Sequence, residues 1–432
     1  MTAPLPDRTS GLQVEPFRGW RFAAGIDLAT VTSPPLDALA DPAQQLDGLS
    51  PRHVLRLMEP ALTSDDYSVA RRVTRRLARW RADGTLVRDE QPAMYVYRRQ
   101  ATDQTLVGLV AAVSLHESEE RIVLPHESVT EAAVRRQVQL LRAFSGQPEP
   151  VVTIHHASEE YRRLVREILH GEPLSRFCTD DGGEHSLWGV MDPGAVSQVQ
   201  HQLTGTRLLL ADGHHRYAAF REVLRREQAV RSRGPGVGPD DGAAPRLRPA
   251  NRGLGMLVDV GDFGLRLRAI HRVLKGLKLA TVGATPGLSA RVVDAVQAEM
   301  FLQHDIDLLT PPRARCVVTD GDHWLAVEGD GAIDPAECPS PSLAVAHLHS
   351  CWLPRWAVTE SDVGYTHDAA VAVARARAEG GAAVLLPPPP MDAVFDAAVR
   401  GQLLPAKATS FQPKPRIGLV MRHWPGGADD LR

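Results

Sequence analysis

Residues 208–220, LLLADGHHRYAAF, set an acid, two imidazoles and a guanidinium around one glycine. An apolar run stops at Asp212, Gly213 frees the backbone, His214, His215 and Arg216 follow, and helix-forming alanines come next. N–H groups at a helix start, reinforced by the helix dipole, attract anions, and Gly213 lets a ligand approach the main chain closely. Arg216 offers a fork of donors suited to phosphate, and His214 and His215 can donate hydrogen bonds or move protons near neutral pH. Asp212 is the wrong charge for direct phosphate contact. It suits a Mg²⁺ ion, a substrate hydroxyl or a histidine that it orients. The plainer alternative is that Asp212 caps the helix and one histidine is a core residue. Four polar groups merely packed at one sharp turn would carry a desolvation cost, which favours a site. A metal centre is the weaker option, because adjacent histidines on a short loop rarely converge on one ion and His-Glu-x-x-His is absent.

The turn needs a strand before it and a helix after it, and the pattern supplies both. Residues 207–211 read as a buried strand, and Tyr217, Phe220 and Leu224 share one side of the following helix. From Ser64 a helix carries Tyr67, Ala70, Val73, Leu77 and Trp80 at helical spacing and stops at Gly84. AMYVYRRQ and LVGLVAAVSL form a hairpin through ATDQT, and RIVLPHESV leads from a short strand into an amphipathic helix. EPVVTIHH and HSLWGVMD read as strands, SEEYRRLVREILHG and GAVSQVQHQL as helices, and SPRHVLRLMEP as a short extended segment. Later, ARCVVTDGDHWLAVEG reads as a hairpin and DAAVAVARARAEGGAAVLL as helix then strand. The expected fold class is α+β, a mixed-sheet α/β architecture rather than a purely parallel sheet. The expected division is an N-terminal α/β portion over 12–230, a Gly/Pro-rich loop over 231–251 and a C-terminal α/β portion over 252–432. The glycines of that loop do not form a nucleotide loop, since no Lys-Ser/Thr follows and no strand leads into it.

The totals bound the class without naming the chemistry. The chain has 432 residues, 43% apolar and 23% charged, enough for two or three folded cores. A net charge of -3 gives no broad footprint for nucleic acid. Cys178, Cys316, Cys338 and Cys351 lack a Cys-x-x-Cys pair, as expected of reduced thiols rather than a zinc knuckle or disulfide framework. The first residues show neither a signal-peptide pattern nor a membrane-length apolar run, so a cytoplasmic location is the expectation.

ADGHHRYAA, with EPFRGWRF, VTSPPLD, SPRHVLRLMEP, LPHESV, HSLWGV, AIHRVL and AKATSFQPKPRIGLVMR, resembles the domain of unknown function 1015 family (DUF1015) in order and over residues 15–423. The Asp-Gly-His-His-Arg turn alone also resembles the ParB/sulfiredoxin-like free-serine kinases. That second resemblance implies a strand-turn-helix phosphate site, ATP or ADP with Mg²⁺, and a small hydroxylated amino acid such as serine as acceptor. A homodimer is compatible with it, whereas membrane and nucleic acid are not expected partners. Under it, Asp212 would hold Mg²⁺ or the substrate hydroxyl, and Gly213, His214, His215 and Arg216 would hold the transferred phosphate. Glu127, preceded by His126 in LPHES, is the candidate general base, its alternative being a carboxylate that favours a helix start. Arg56, His185, His271 and Arg272 could complete a substrate pocket, although packing is the commoner role for such residues. Lys407 and Lys414 suit phosphate capture if their Pro-rich segment folds over the site, and solvated surface otherwise. Two alternatives stand beside a kinase: a ParB-like nucleotide-binding regulator without catalysis, and a phosphohydrolase or nuclease. Leu36, Ser186 and Ala408 depart from the family pattern, where tyrosine, arginine and serine are usual, and imply a shifted substrate or a decayed site.

Overall fold

Continuous apolar runs at Met94–Tyr97 and Leu106–Val113 give two strands joined by a short polar turn, Met94–Gln100 and Thr105–Ser114, paired antiparallel from Tyr95↔Val110 to Gln100↔Thr105. In a computed structural model, which describes residues 11–39, 45–58, 67–232, 251–261, 264–303, 314–329 and 343–424, this hairpin lies inside a nine-stranded mixed sheet. Its strands run in the order Val123–Leu124, Leu208–Asp212, Val151–His155, Arg252–Asp259, Thr105–Ser114, Met94–Gln100, Glu184–Val190 and Ser175–Cys178, with Val14–Glu15 added on Thr105–Ser114. Two pairings are parallel, Leu208–Asp212 with Val123–Leu124 and Arg252–Asp259 with Val151–His155, and the rest are antiparallel. The architecture is mixed α/β with several sheets, as the sequence pattern implies.

The chain divides into two units. The first comprises 1–124, 129–265 and 413–432, and the second 125–128 with 266–412. The division differs from the sequence expectation because Arg252–Asp259 returns to the sheet of the first unit, between Val151–His155 and Thr105–Ser114. Most of the expected 231–251 loop lies outside the described residues. In the second unit a six-stranded antiparallel sheet runs Leu288–Val293, Trp324–Gly329, Arg315–Thr319, Ala382–Leu385, His271–Leu274, Val363–Thr366, and the pair Arg266–Arg268 and Ser410–Gln412 stands apart from it. Among the described residues no helix is long and apolar enough to cross a membrane.

SPRHVLRLMEP departs from its expected extended form. Residues Val54–Leu57 make a 3-10 turn, because the His53 ring accepts the Leu55 N–H at the turn's start and three of the four residues are buried. The helix Tyr67–Ala82 forms as its periodicity implies, burying Val73, Leu77 and Trp80 against Phe22 and Phe144. Residues 59–66, at its expected start, lie outside the described residues.

The element that carries the turn is the helix His214–Ser232. It buries Tyr217, Ala219, Phe220 and Val223 in the same core as Leu208, Leu210, Val138 and Leu141; Val223 takes the buried place expected of Leu224. Phe220 fits because Gly253 lies beside it: a Cβ there would fall 2.6 Å from the Phe220 ring. Gly253→Ala is therefore expected to lower stability by about 1–3 kcal/mol through overpacking, read by urea unfolding. Phe220→Leu in that background should recover part of the loss, and an additive loss would show that the glycine does not serve the ring.

Candidate functional site

Asp212 ends a strand whose pairing with Val151–His155 shifts register between Leu210 and Asp212. Such irregularities re-aim a side chain at a strand end. Gly213 follows at φ +91, and a Cβ on it would lie 2.8 Å from Arg216 Nη1 and 3.3 Å from Val151. Both its backbone conformation and the guanidinium packed against it demand glycine. Tyr217 N–H then bonds to the Gly213 carbonyl at 2.8 Å and opens the helix.

Four charges alternate through this turn. Glu149 Oε1 lies 2.9 Å from Arg216 Nε, in ion-pair rather than hydrogen-bond geometry. Arg216 Nη1 donates to the Pro150 carbonyl, and Nη2 reaches Asp212 Oδ2 at 3.4 Å. Lys414 Nζ donates to Asp212 Oδ1 at 2.5 Å. Side-chain exposure is 7% at Glu149, 13% at Arg216, 16% at Lys414 and 25% at Asp212, so all four groups are largely shielded and Asp212 is the most open of them.

The charges follow from these neighbours. Burial would raise the Asp212 pKa, but Lys414 and then Arg216 hold it down to about 2. Burial raises Glu149 above the usual carboxylate range, and Arg216 offsets part of that. Burial lowers His214 to about 4, so its ring is neutral at pH 7. His215 Nε2 accepts the Thr130 N–H at 3.2 Å, which places the proton of the neutral ring on Nδ1 and ties the turn to the start of helix Glu131–Phe144.

The remaining expected residues separate into different places. His185 is 3% exposed, bonded to Tyr97 OH at 2.8 Å and to Thr179 Oγ1 at 3.1 Å. Four strands lie between its strand and Leu208–Asp212, about 24 Å along the sheet, so it is a core residue and not part of the Asp212 turn. Arg56 spends its guanidinium on the carbonyls of Ser50, Leu46 and Leu49, and fastens its own loop instead of lining a pocket.

In the second unit, His271 Nδ1 accepts the Leu386 N–H at 3.2 Å and burial lowers its pKa to about 4, a structural role. Arg272 is fully buried and donates to the carbonyls of Ile270 and Lys407 and to His349 Nε2, with Tyr365 under its guanidinium. It fastens the turn at Lys407, an exposed residue at φ +58. His126 and Glu127 also belong to this unit, where Thr409 Oγ1 lies 2.7 Å from His126 Nε2 and donates to Glu127 at 3.4 Å.

A family model described as "Protein of unknown function (DUF1015)" matches residues 14–323. The chain belongs to the DUF1015 family. No curated protein matches this DUF1015 chain. Among solved structures, a conserved hypothetical protein from Pyrococcus furiosus aligns over 72% of this chain and 93% of its own, with 14% identity and a TM-score of 0.35. A free serine kinase in complex with AMP aligns over 72% and 91%, with 12% identity and a TM-score of 0.35. SbnI with a C-terminal truncation, from Staphylococcus aureus, aligns over 72% and 85%, with 10% identity and a TM-score of 0.35. At these values the likeness assigns no residue and no activity to the DUF1015 chain.

Both Asp212 oxygens face cations, Lys414 at Oδ1 and Arg216 at Oδ2, and no group of three or more His, Cys, Asp or Glu that could hold a metal occurs among the described residues. Arg216 and Lys414 are almost equally shielded, at 13% and 16% side-chain exposure; they differ in that Arg216 meets Glu149, the Pro150 carbonyl and Asp212, whereas Lys414 bonds to Asp212. Glu149 was not singled out in the sequence. It precedes the apolar run VVTIHH as an isolated acid, and only the pairing of that strand with Leu208–Asp212 brings it to Arg216.

Arg216→Ala would leave Glu149 buried without its cation and is expected to cost about 3–5 kcal/mol of stability, measured by urea unfolding. Glu149→Gln in the same chain should restore much of it, and a loss that persists would deny the pairing. Asp212 predicts an acid dependence. Its folded pKa of about 2 lies below the ordinary 3.8, so its stabilisation is complete above about pH 4 and is lost as pH falls towards 2. Unfolding curves between pH 5 and 2.5 should lose this increment in Asp212→Asn, and equal slopes in both proteins would contradict the assignment.

Proposed function

We propose that this DUF1015 chain binds the phosphates of ATP or ADP at the turn 212–216 and transfers a phosphoryl group to a small hydroxylated amino acid of the serine type. The observation that carries the reading is an ionised Asp212 held by Lys414 at 2.5 Å, beside the first turn of a 19-residue helix. The N–H groups that open the helix and the Lys414 ammonium supply positive charge where phosphate oxygens gather. Asp212 accepts a hydrogen bond from the acceptor hydroxyl and orients it. In the transfer, the bond from the terminal phosphorus to the bridging oxygen breaks, a bond to the acceptor oxygen forms, and the hydroxyl proton leaves to solvent. Positioning and charge neutralisation dominate such transfers. Any Mg²⁺ arrives on the nucleotide's phosphate oxygens. The strand-turn-helix geometry of ParB/sulfiredoxin-like sites is part of this same reading.

One observation favours a second reading, a nucleotide-binding regulator without transfer. Asp212 at about 2 and His214 at about 4 are both too acidic to serve as a base poised near neutral pH. The test separates the readings. Full-length protein incubated with ATP or ADP and a panel of hydroxylated amino acids is expected to yield a phosphorylated amino acid by mass spectrometry, and Asp212→Asn should abolish it while nucleotide still binds. Bound nucleotide with no product across the panel selects the regulator, nucleotide breakdown without an acceptor product selects a hydrolase, and absent nucleotide binding sinks all three.

A further inference from the structure

We propose that Glu149 is an internal counter-anion that holds Arg216 away from the phosphate site, leaving Lys414 as the cation that exchanges its carboxylate partner for phosphate. The inference rests on the phosphate-site reading of the turn 212–216.

Arg216 sits in the motif where a phosphate-binding arginine is expected, yet its nitrogens are engaged elsewhere: Nε with Glu149, Nη1 with the Pro150 carbonyl, Nη2 with Asp212. Its guanidinium also packs so closely on Gly213 that a Cβ there would fall 2.8 Å from Nη1. An arginine fixed on three sides, with 13% of its side chain exposed, is part of the floor of the turn. Glu149, at 7% exposure, is the group that keeps it there, because a buried guanidinium seeks the nearest anion and Glu149 is closer to it than Asp212.

The consequence is a turn whose four side-chain charges cancel: Glu149 and Asp212 negative, Arg216 and Lys414 positive. An arriving phosphate competes with Asp212 for Lys414, while Arg216 stays engaged by Glu149 and the Pro150 carbonyl. Glu149 thus attenuates affinity, which suits a site that must release a phosphorylated product or a spent nucleotide. Removing its charge would give the turn a net charge of +1 and free Arg216 to fork onto the ligand.

The prediction is a gain, which structural damage cannot imitate. Calorimetric titration of full-length protein with ADP, and separately with inorganic pyrophosphate, is expected to show roughly tenfold tighter binding in Glu149→Gln, with a steeper loss of affinity as salt rises. Lys414→Gln should bind roughly tenfold more weakly. If the wild type binds and Glu149→Gln, folded by circular dichroism, binds equally or more weakly, the counter-anion role is overturned and the phosphate site stands. If neither protein binds either ligand, the phosphate-site reading fails and takes this inference with it. Should Glu149→Gln not fold, Glu149→Asp keeps the charge but withdraws it from Arg216 by one methylene, and is expected to tighten binding by a smaller factor. Unchanged or weaker binding in that variant also overturns the proposal.

Discussion

The turn depends on neutralising one buried guanidinium. Arg216 lies at the first turn of a helix whose dipole already places positive charge there, and beneath a glycine backbone that leaves it little room to move. A second positive charge in that position is tolerable only if anions meet it. Asp212 does so from the end of its strand and Glu149 from the bend two residues before the neighbouring strand Val151–His155, and the pairing of those strands decides whether they can. The bulge before Asp212, the positive φ of Gly213 and the burial of Glu149 are consequences of the same requirement. Phe220, packed beside Gly253, anchors the helix to the core about one turn later.

This arrangement changes how the motif is read. Taken as residue types, Asp-Gly-His-His-Arg offers four polar groups to a ligand. In the folded chain they divide by direction. Arg216 and His214 face inward, one paired and the other kept neutral by burial, and His215 is spent on the Thr130 backbone. Asp212, the most open of the four charges, is left to Lys414, which is distant in sequence. A motif at a strand-helix junction must satisfy the sheet edge, the helix start and the core at once, and only the surplus is available for chemistry.

Local patterns made much of the fold legible. The hairpin at 94–114, the helix after Thr130, the strand before Asp212 and the helix-strand pair at 369–385 follow from periodicity, turn residues and capping, all of which act over a few positions. What the sequence did not show are pairings between distant segments. The return of Arg252–Asp259 to the first sheet, the meeting of Glu149 with Arg216 and the separation of His185 from Asp212 depend on strand order, which no local pattern encodes. Arg56 misled for the same reason: a lone arginine in VLRL looks available until the carbonyls of Leu46, Leu49 and Ser50 surround it.

The positions that depart from the family pattern can be weighed in the same physical terms. Leu36 packs against the core that contains Val54, Leu57 and Trp80. Ser186 is 2% exposed within a strand whose neighbour His185 is stacked between Tyr97 and Phe177. Ala408 is buried at 3%, while the adjacent Thr409 supplies the hydroxyl that meets His126 and Glu127. All three lie in packing environments, where a smaller or more apolar side chain is absorbed by its neighbours. None of the three takes part in the ion pairs that join Glu149, Arg216, Asp212 and Lys414 or in the positive-φ turn at Gly213.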